Sequence, residues 1–442
     1  MGNSDKINAA LEQADALRRG GSHGEARAIL LGLLNAEPQH PLVHYRLGQI
    51  AANLGDLEGC RTHLQSAHTA DPGNIDYALR LGNVCERLRD LQAAIAAYRQ
   101  VLAGDPRNVP ALIRLADLAI LLGDKETAVD ACQRVVLIQG PVATALRDPR
   151  LPAPVRDTLT RIRLTLREKY QQLLSLTREY LAARYAPAEL TRIDKALSAI
   201  GDTRARGGHA KQKPEFLAFP GLEPTAWFER EQFAWASRAE HSWETIRDEY
   251  LALNSAGPDF HPYIVETVGE ARTLQGTDFS TLAGNRDWSA FHLNKAGWLE
   301  ENCAQCPQTA ELMKELPLAE AKGYMPEVFF SRLSPGTEII PHYGQTNVRL
   351  TVHLGLIIPP NCGIRVGAET RHWQEGRLLA FDDSFEHAAW NRSDSDRVVL
   401  IFEAWHPDLK PAEIDGLQHF FETRSRWLSR FADISPQGGS HS

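Results

Sequence analysis

Apolar residues in the first third of the chain recur at three- and four-residue spacings, the pattern of helices that bury one face. The pattern itself repeats: "NAEPQHPLVHYRLGQIAANLGDLEGC" is followed by "TADPGNIDYALRLGNVCERLRDLQAA" and "AGDPRNVPALIRLADLAILLGDKETA", with Pro38, Pro72 and Pro106 spaced 34 residues apart. A small residue recurs as Ala26, Cys60, Ala94 and Ala128, a leucine as Leu47, Leu81 and Leu115, and a turn as "GD" at 55 and 123 with "RD" at 89. From Leu151 to Ile200, Leu159, Ile162, Leu166, Tyr170, Leu173, Leu181, Leu190, Ile193 and Leu197 continue at largely helical intervals. These helices are expected to cap the array. "GDTRARGGHAKQK" then reads as a solvated basic linker. After Pro214 the period changes. "PEVFFSRLSPGTEIIPHYG", "VRLTVHLGLIIPPNCGIRVG", "RLLAFDDSFEHAAWN" and "RVVLIFEAWHP" are short apolar runs broken by turn residues, which predict an antiparallel double sheet of jelly-roll type. A last helix, "PAEIDGLQHFFETRSRWLSRFA", and a polar tail follow.

A period of 34 with these positions resembles the tetratricopeptide repeat. Each helix pair of such a repeat leaves an apolar face that only the next pair covers, so the units stack into a solenoid with a concave surface suited to a peptide or a partner helix. The expected fold is therefore multidomain α + β: an α-helical tetratricopeptide solenoid at 1–140, a helical cap and basic linker at 141–213, a jelly-roll (cupin-like) domain at 214–412, and a C-terminal helix and tail at 413–442.

Composition narrows the function more than the fold. The net charge of −8 gives no long-range attraction for nucleic acid or anionic lipid, so neither is an expected partner. No apolar run approaches the roughly eighteen residues of a membrane span, and the start lacks a secretory core, so the expected location is the cytoplasm of a bacterium. Six scattered cysteines do not make a disulfide framework. Cys303 and Cys306 form a CxxC without a second pair at zinc spacing, and plain structural thiols are expected over a zinc site or a redox pair. His44, His63 and His68 are expected at the surface or between helices, and Trp227, Trp235 and Trp243 in the core.

The chemistry concentrates in "IIPHYGQTNVRLTVHLGL", residues 339–356. Alternation along a strand puts Arg349, Thr351 and His353 on one face and Leu350, Val352 and Leu354 on the other. The polar row faces either solvent or a wet cavity. His342, then His387 in "FDDSFEHAAWN", then Arg397 ten residues on, is the order of a jelly-roll non-haem iron site, in which two imidazoles suit Fe(II) and a guanidinium fork takes the far carboxylate of a keto acid. A His-x-Asp/Glu pair normally adds a third ligand, but the residue two beyond His342 is Gly344. On spacing alone, core or surface histidines stay open. Asp383 is expected either to orient a ligand imidazole or to bond the backbone of its own turn.

From about Pro214 to Leu409, the segments "PHYGQTNVRLTVHLGLIIP", "CGIRVGAETRHWQEGRLLAFDDSFEHAAWN" and "AWHPDL" resemble the aspartyl/asparaginyl β-hydroxylase family. The resemblance implies a double-stranded β-helix fold, Fe(II), O2 and 2-oxoglutarate as co-substrate, and an iron held by two histidines with a glycine where the acid would be. It implies His342 and His387 as catalytic metal ligands, Ser331 and Arg397 for the distal carboxylate of 2-oxoglutarate, His353 for its metal-proximal end, and Arg349 for the substrate. The family's animal members commonly read R-L-R-x-H on this strand, where this chain has Arg349-Leu350-Thr351-Val352-His353. One cation and a hydroxyl hold a carboxylate less well than two guanidinium groups. The implied activity is 2-oxoglutarate-dependent hydroxylation of an aspartyl or asparaginyl side chain in a peptide or protein docked on the repeats. A lipid acyl chain is the second substrate class, since bacterial relatives hydroxylate the acyl chains of lipid A; a free amino acid is a third, and an inactive adaptor is the reading of another kind.

Overall fold

The computed structural model describes residues 3–140, 142–146, 148–200, 210–214, 216–255, 257, 260–264 and 278–431. They divide into two compact units, one through Leu166 and one from Arg167 onward. No helix among the described residues is long and apolar enough to cross a membrane.

The first unit is a run of helix pairs: α1 (Asn3–Arg19) with α2 (His23–Ala36), α3 (Pro41–Asn53) with α4 (Leu57–Ala70), α5 (Ile75–Arg87) with α6 (Leu91–Gly104), and α7 (Val109–Leu122) with α8 (Lys125–Gln139). The repeated "GD" turn has a simple cause. Gly55, Arg89 and Gly123 take left-handed φ of 79°, 64° and 74°, reversing the chain. The next residue, Asp56, Asp90 or Asp124, then caps the following helix by accepting from the N–H of Gly59, Ala93 or Thr127. The recurrent small residues Ala26, Cys60, Ala94 and Ala128 are all buried, and so are Leu47, Leu81 and Leu115. At Gly82 the helices approach closely: a Cβ would lie 2.5 Å from the Tyr98 ring. Tyr98 in turn donates to Glu86 and Asn83 across the α5–α6 pair.

After α9 (Val142–Ala145) come α10 (Ala153–Ala182) and α11 (Pro187–Ala199). Here the expectation of a cap needs revision. The start of α10 belongs with the repeats, where Arg161 pairs with Asp117 at 2.7 Å. Its end and α11 belong to the second unit and pack on the C-terminal helix, α16 below: Gly416 sits against Leu181 and Ile193, and Arg192 pairs with the buried Glu413. Residues 201–209 of the expected linker lie outside the described residues.

The second unit holds β1 (Trp227–Phe228), α12 (Ala236–His241), α13 (Trp243–Ser255), β2 (His261–Pro262), β3 (Trp288–Lys295), α14 (Glu300–Cys303), α15 (Pro307–Glu315), β4 (Glu327–Leu333), β5 (Glu338–His342), β6 (Arg349–Ile357), β7 (Cys362–Val366), β8 (Glu369–Arg371), β9 (Leu378–Phe381), β10 (His387–Asn391), β11 (Arg397–Trp405) and α16 (Pro411–Leu428). Seven strands form one sheet in the order β1-β9-β6-β11-β4-β3-β2, and four form a second in the order β5-β10-β7-β8, all antiparallel. From β4 onward the chain distributes its strands between the two sheets as a double-stranded β-helix does. Leu350, Val352, Leu354 and Leu356 join Leu400 and Phe402 on the outer face of the larger sheet, in one core with Ile246 and Tyr250 of α13 and Met313 of α15. Cys303 and Cys306 are buried in that same core as free thiols. The inner face belongs to a second core that includes Trp227, Phe329, Trp373, Phe381 and Val399. The polar row of β6 therefore looks into the space between the sheets.

Candidate active site

His342 ends β5 and His387 opens β10, and the two are register partners across the smaller sheet. Side chains at paired positions leave a sheet on the same face, so the rings meet: their centroids are 4.0 Å apart, with planes at 52°. Each ring is fixed by the backbone two residues before it, His342 Nδ1 to the carbonyl of Ile340 at 2.8 Å and His387 Nδ1 to that of Phe385 at 3.0 Å. A carbonyl only accepts, so each Nδ1 carries the proton and each Nε2 keeps its lone pair. Burial, with the neighbouring His387, pushes His342 down to about 3, and burial pushes His387 down to about 4. Two neutral imidazoles side by side are the state a divalent metal requires.

Among the described residues, no third His, Cys, Asp or Glu joins them in a metal-binding group. Gly344 shows why. A Cβ there would lie 2.2 Å from the carboxyl carbon of Asp383, so no acid can stand two residues beyond His342 while Asp383 holds its place. Gly344 donates its N–H to the carbonyl of Asp383 at 2.7 Å. The Asp383 carboxylate accepts from Thr351 Oγ1 at 3.4 Å through Oδ2, and Oδ1 is buried without a partner. Burial pushes its carboxyl up to about 6, against the pull of Arg349. The Asp383 carboxylate therefore neither bonds an imidazole nor bonds its own turn, whereas the Asp383 backbone does face His387. Asp382 makes the turn, accepting from Ser384 N at 2.8 Å and from Gln212 Nε2 at 2.6 Å.

Deeper between the sheets lies Arg397, only 1% exposed. Its Nε and Nη1 have no partner, and its guanidinium rests on the Trp373 ring at 4.8 Å. Burial pulls it down to about 10. A buried cation with unpaired donors is costly unless an anion completes it. Ser331, on the neighbouring β4 and 1% exposed, accepts from Trp288 Nε1 at 3.3 Å. His353 accepts from Trp373 Nε1 at 3.1 Å through Nδ1, so its remaining nitrogen is the protonated donor. Burial, then the charges of Arg397 and His387, hold it well below the usual histidine range. The structure thus brings Arg397 and His353 together on Trp373 and places His342 beside His387.

Arg349 behaves differently from a waiting cation. Its Nη1 donates to Glu403 at 2.8 Å, and Nε is buried without a partner. Burial works against its charge, yet Glu403, Asp383, Tyr324 and Glu327 together hold it charged, above its usual value. Burial pushes the Glu403 carboxyl up to about 7, against Arg349. Sequence reasoning missed Glu403, Trp373 and Trp288. Glu403 had a signal: it is six residues from Arg397 in "RVVLIFEAW", on the same inward face, and the two are that strand's charged residues.

The other conspicuous residues have ordinary roles. His44 and His63 bond each other at 3.1 Å across the α3–α4 pair. Trp227 is buried, and Trp235 and Trp243 pack partly buried against the outer core. Asn347 pins the segment ahead of β1 by bonding both the N–H and the carbonyl of Phe219.

A model of the aspartyl/asparaginyl β-hydroxylase family matches residues 240–407, and tetratricopeptide models match 11–75 and 87–145. Human aspartate β-hydroxylase domain-containing protein 2 is 33% identical over 265 residues, covering 59% of this chain and 68% of that protein. Human aspartyl/asparaginyl β-hydroxylase is 36% identical over 199 residues, 44% of this chain but only 24% of its own length. The ornithine lipid ester-linked acyl 2-hydroxylase of Rhizobium tropici is 35% identical over 187 residues, 41% of this chain and 60% of that one. Among solved structures, a MamA double mutant aligns with 38% of this chain at 20% identity and a TM-score of 0.29. Fold, paired histidines and relatives together define a hydroxylase preceded by tetratricopeptide repeats. The chain belongs to the aspartyl/asparaginyl β-hydroxylase family.

Proposed function

We propose that the protein is an Fe(II)- and 2-oxoglutarate-dependent hydroxylase of an aspartyl or asparaginyl side chain in a peptide or protein docked with help of the repeats. The observation that carries this reading is the Arg397 guanidinium, buried with unpaired donors in the same inter-sheet space as two neutral imidazoles. The donor set fits the group: His342 and His387 would hold iron through Nε2, and a two-imidazole set leaves positions open for co-substrate and O2. Iron bound there supplies O2 activation, in which 2-oxoglutarate and O2 become succinate and CO2 while one oxygen atom enters a substrate C–H bond.

The chain's own residues account for the rest. Arg397, stacked on Trp373, would pair with the distal carboxylate of 2-oxoglutarate, with the Ser331 hydroxyl beside it. His353 offers an N–H toward the co-substrate's other end, its tautomer fixed by Trp373. The backbone carbonyls of Ile340 and Phe385 hold the ligand rings in orientation before any metal arrives.

A second reading, hydroxylation of a lipid acyl chain, has one observation in its favour, the Rhizobium relative named for that activity. The two separate by product. Purified protein with Fe(II) and 2-oxoglutarate is assayed for succinate, and cellular peptides and lipids are searched for a gain of one oxygen. Succinate with oxygenated peptide is the expected result, and His342→Ala and His387→Ala each abolish it while His44→Ala does not. Protein that neither binds Fe(II) nor releases succinate with any extract is an adaptor.

A further inference from the structure

One end of the inter-sheet space carries the paired histidines, and the other carries Arg397. Register fixes which strand ends meet: Trp405 pairs with Arg349 and Phe402 with Val328, so β4 and β6 both start at the end of β11 opposite Arg397. His342 ends β5, and the residues after it lead straight to the start of β6. Tyr324 stands just ahead of β4 and Gln345 just ahead of β6, and the Tyr324 phenol donates to Gln345 Oε1 at 2.8 Å. This contact marks the histidine-bearing end.

The C-terminal helix brings a cation to that contact. Arg424 of α16 holds its guanidinium over three rings, 4.8 Å from Phe216, 5.9 Å from Tyr324 and 6.0 Å from Tyr170, and its Nε donates to the Tyr170 hydroxyl at 3.2 Å. The rings are themselves fixed. Tyr324 stacks on Phe421 at 4.2 Å, and Phe216 donates its N–H to the Gln345 carbonyl. Among the described residues, no carboxyl group pairs with Arg424 and its two terminal nitrogens make no hydrogen bond. The residue is half-buried, so this fork stays within a ligand's reach. Arg349 and Arg424 both lie within electrostatic range of the Tyr324 phenol, but Arg349 is already paired with Glu403. Aromatic faces orient a guanidinium and supply no counter-charge. A planar fork held in this way is prepared for the two oxygens of a carboxylate.

We propose that Arg424 is a substrate-binding residue, taking the carboxylate of an acidic residue that flanks the side chain to be hydroxylated. The inference rests on the hydroxylase reading above and adds a contact outside the reacting side chain. Tyr170, Phe216 and Arg424 fall outside the family match at 240–407, so the selectivity comes from the helices and segment that surround the matched domain. A peptide offers one carboxylate to one fork. An anionic lipid surface offers many negative charges at once, which a chain of net charge −8 repels.

Two synthetic peptide pools test this with the full chain, Fe(II) and 2-oxoglutarate. Both hold Asn or Asp at the centre among uncharged residues; one carries a single Glu placed at each flanking position in turn, and the other carries Gln in its place. The readouts are succinate and a one-oxygen mass gain on the central residue. At limiting concentration, peptides with Glu at the favoured position are expected to gain oxygen at least about tenfold faster than their Gln counterparts, the scale of one charge-assisted hydrogen-bonded pair. Arg424→Gln is expected to abolish that ratio, and Arg424→Lys, which keeps the charge and loses the fork, to retain part of it. Thermal unfolding shows whether each variant is folded. Equal oxygenation of Glu and Gln peptides at every position overturns the inference and leaves the hydroxylase standing. A Glu preference that survives in folded Arg424→Gln overturns the assignment to Arg424; where that variant does not fold, a wild-type ratio in Arg424→Lys does the same. Succinate released only with vesicles of an anionic phospholipid also overturns it, whereas no succinate with any peptide or lipid removes it together with the hydroxylase reading.

Discussion

A single side chain shows how the site differs from a packed core. Arg397 is a fully buried guanidinium with two nitrogens unpaired, an arrangement that stability alone does not favour. Replacing it by methionine is expected to stabilise the metal-free protein, by about 1–4 kcal/mol on the precedent of buried charges exchanged for apolar groups. The same variant is expected to lose 2-oxoglutarate turnover. Thermal unfolding and succinate release check the two halves, and a loss of stability would mean the guanidinium has a structural partner. The cysteines give the opposite case. Burial raises the thiol pKa of all six, and pushes Cys132 and Cys306 up to about 12. A raised pKa means less thiolate, so none is expected to react with iodoacetamide in the native protein at pH 8, and all six after unfolding at the same pH, read by mass spectrometry. Prompt native labelling at Cys303 or Cys306 would revive a redox pair. Gly344 marks the limit of reading residues one at a time: its place in the motif was visible, but the carboxylate that forbids any other residue there comes from Asp383, 39 positions away.

At the level of elements, the repeats were the most legible part, because everything that defines them is local. A left-handed residue, an aspartate cap and a small contact residue lie within a few positions of one another and recur at a fixed period. The caps contribute about 1 kcal/mol each. Gly82→Ala forces a methyl into the Tyr98 ring, so it is expected to destabilise the array by about 1–3 kcal/mol, the usual cost of overpacking. Helical circular dichroism during thermal unfolding reads it, and an unshifted transition would mean the ring has room to move. The β-strands were legible as alternation: β6 does present Leu350, Val352 and Leu354 to the outer core and His353 to the inner space. Less legible was the helical stretch after the repeats, since an apolar stripe says that a face is covered and does not say by what. Leu181 and Ile193 keep the predicted spacing yet cover Gly416 of α16.

For the whole molecule, the chain divides near Leu166 into two units, and the proposed function assigns docking to the first and chemistry to the second. The Gly82→Ala variant is therefore expected to leave succinate release with a short peptide unchanged while slowing it with an intact protein substrate that docks on the repeats. Equal slowing of both would mean that the repeats support the catalytic unit itself.

Periodicity determined the solenoid and the double sheet, because helices and strands carry their period along the chain, while spacing offered His342, His387 and Arg397 as candidates and left core or surface histidines open. The family resemblance then supplied the glycine at 344. Tertiary structure alone decided that His342 and His387 share a register, that Trp373 sets the tautomer of His353, and that Arg349 donates to Glu403. Such facts depend on which strands lie side by side and at what offset. That offset is settled by packing over the entire sheet, and no local stretch of sequence contains it.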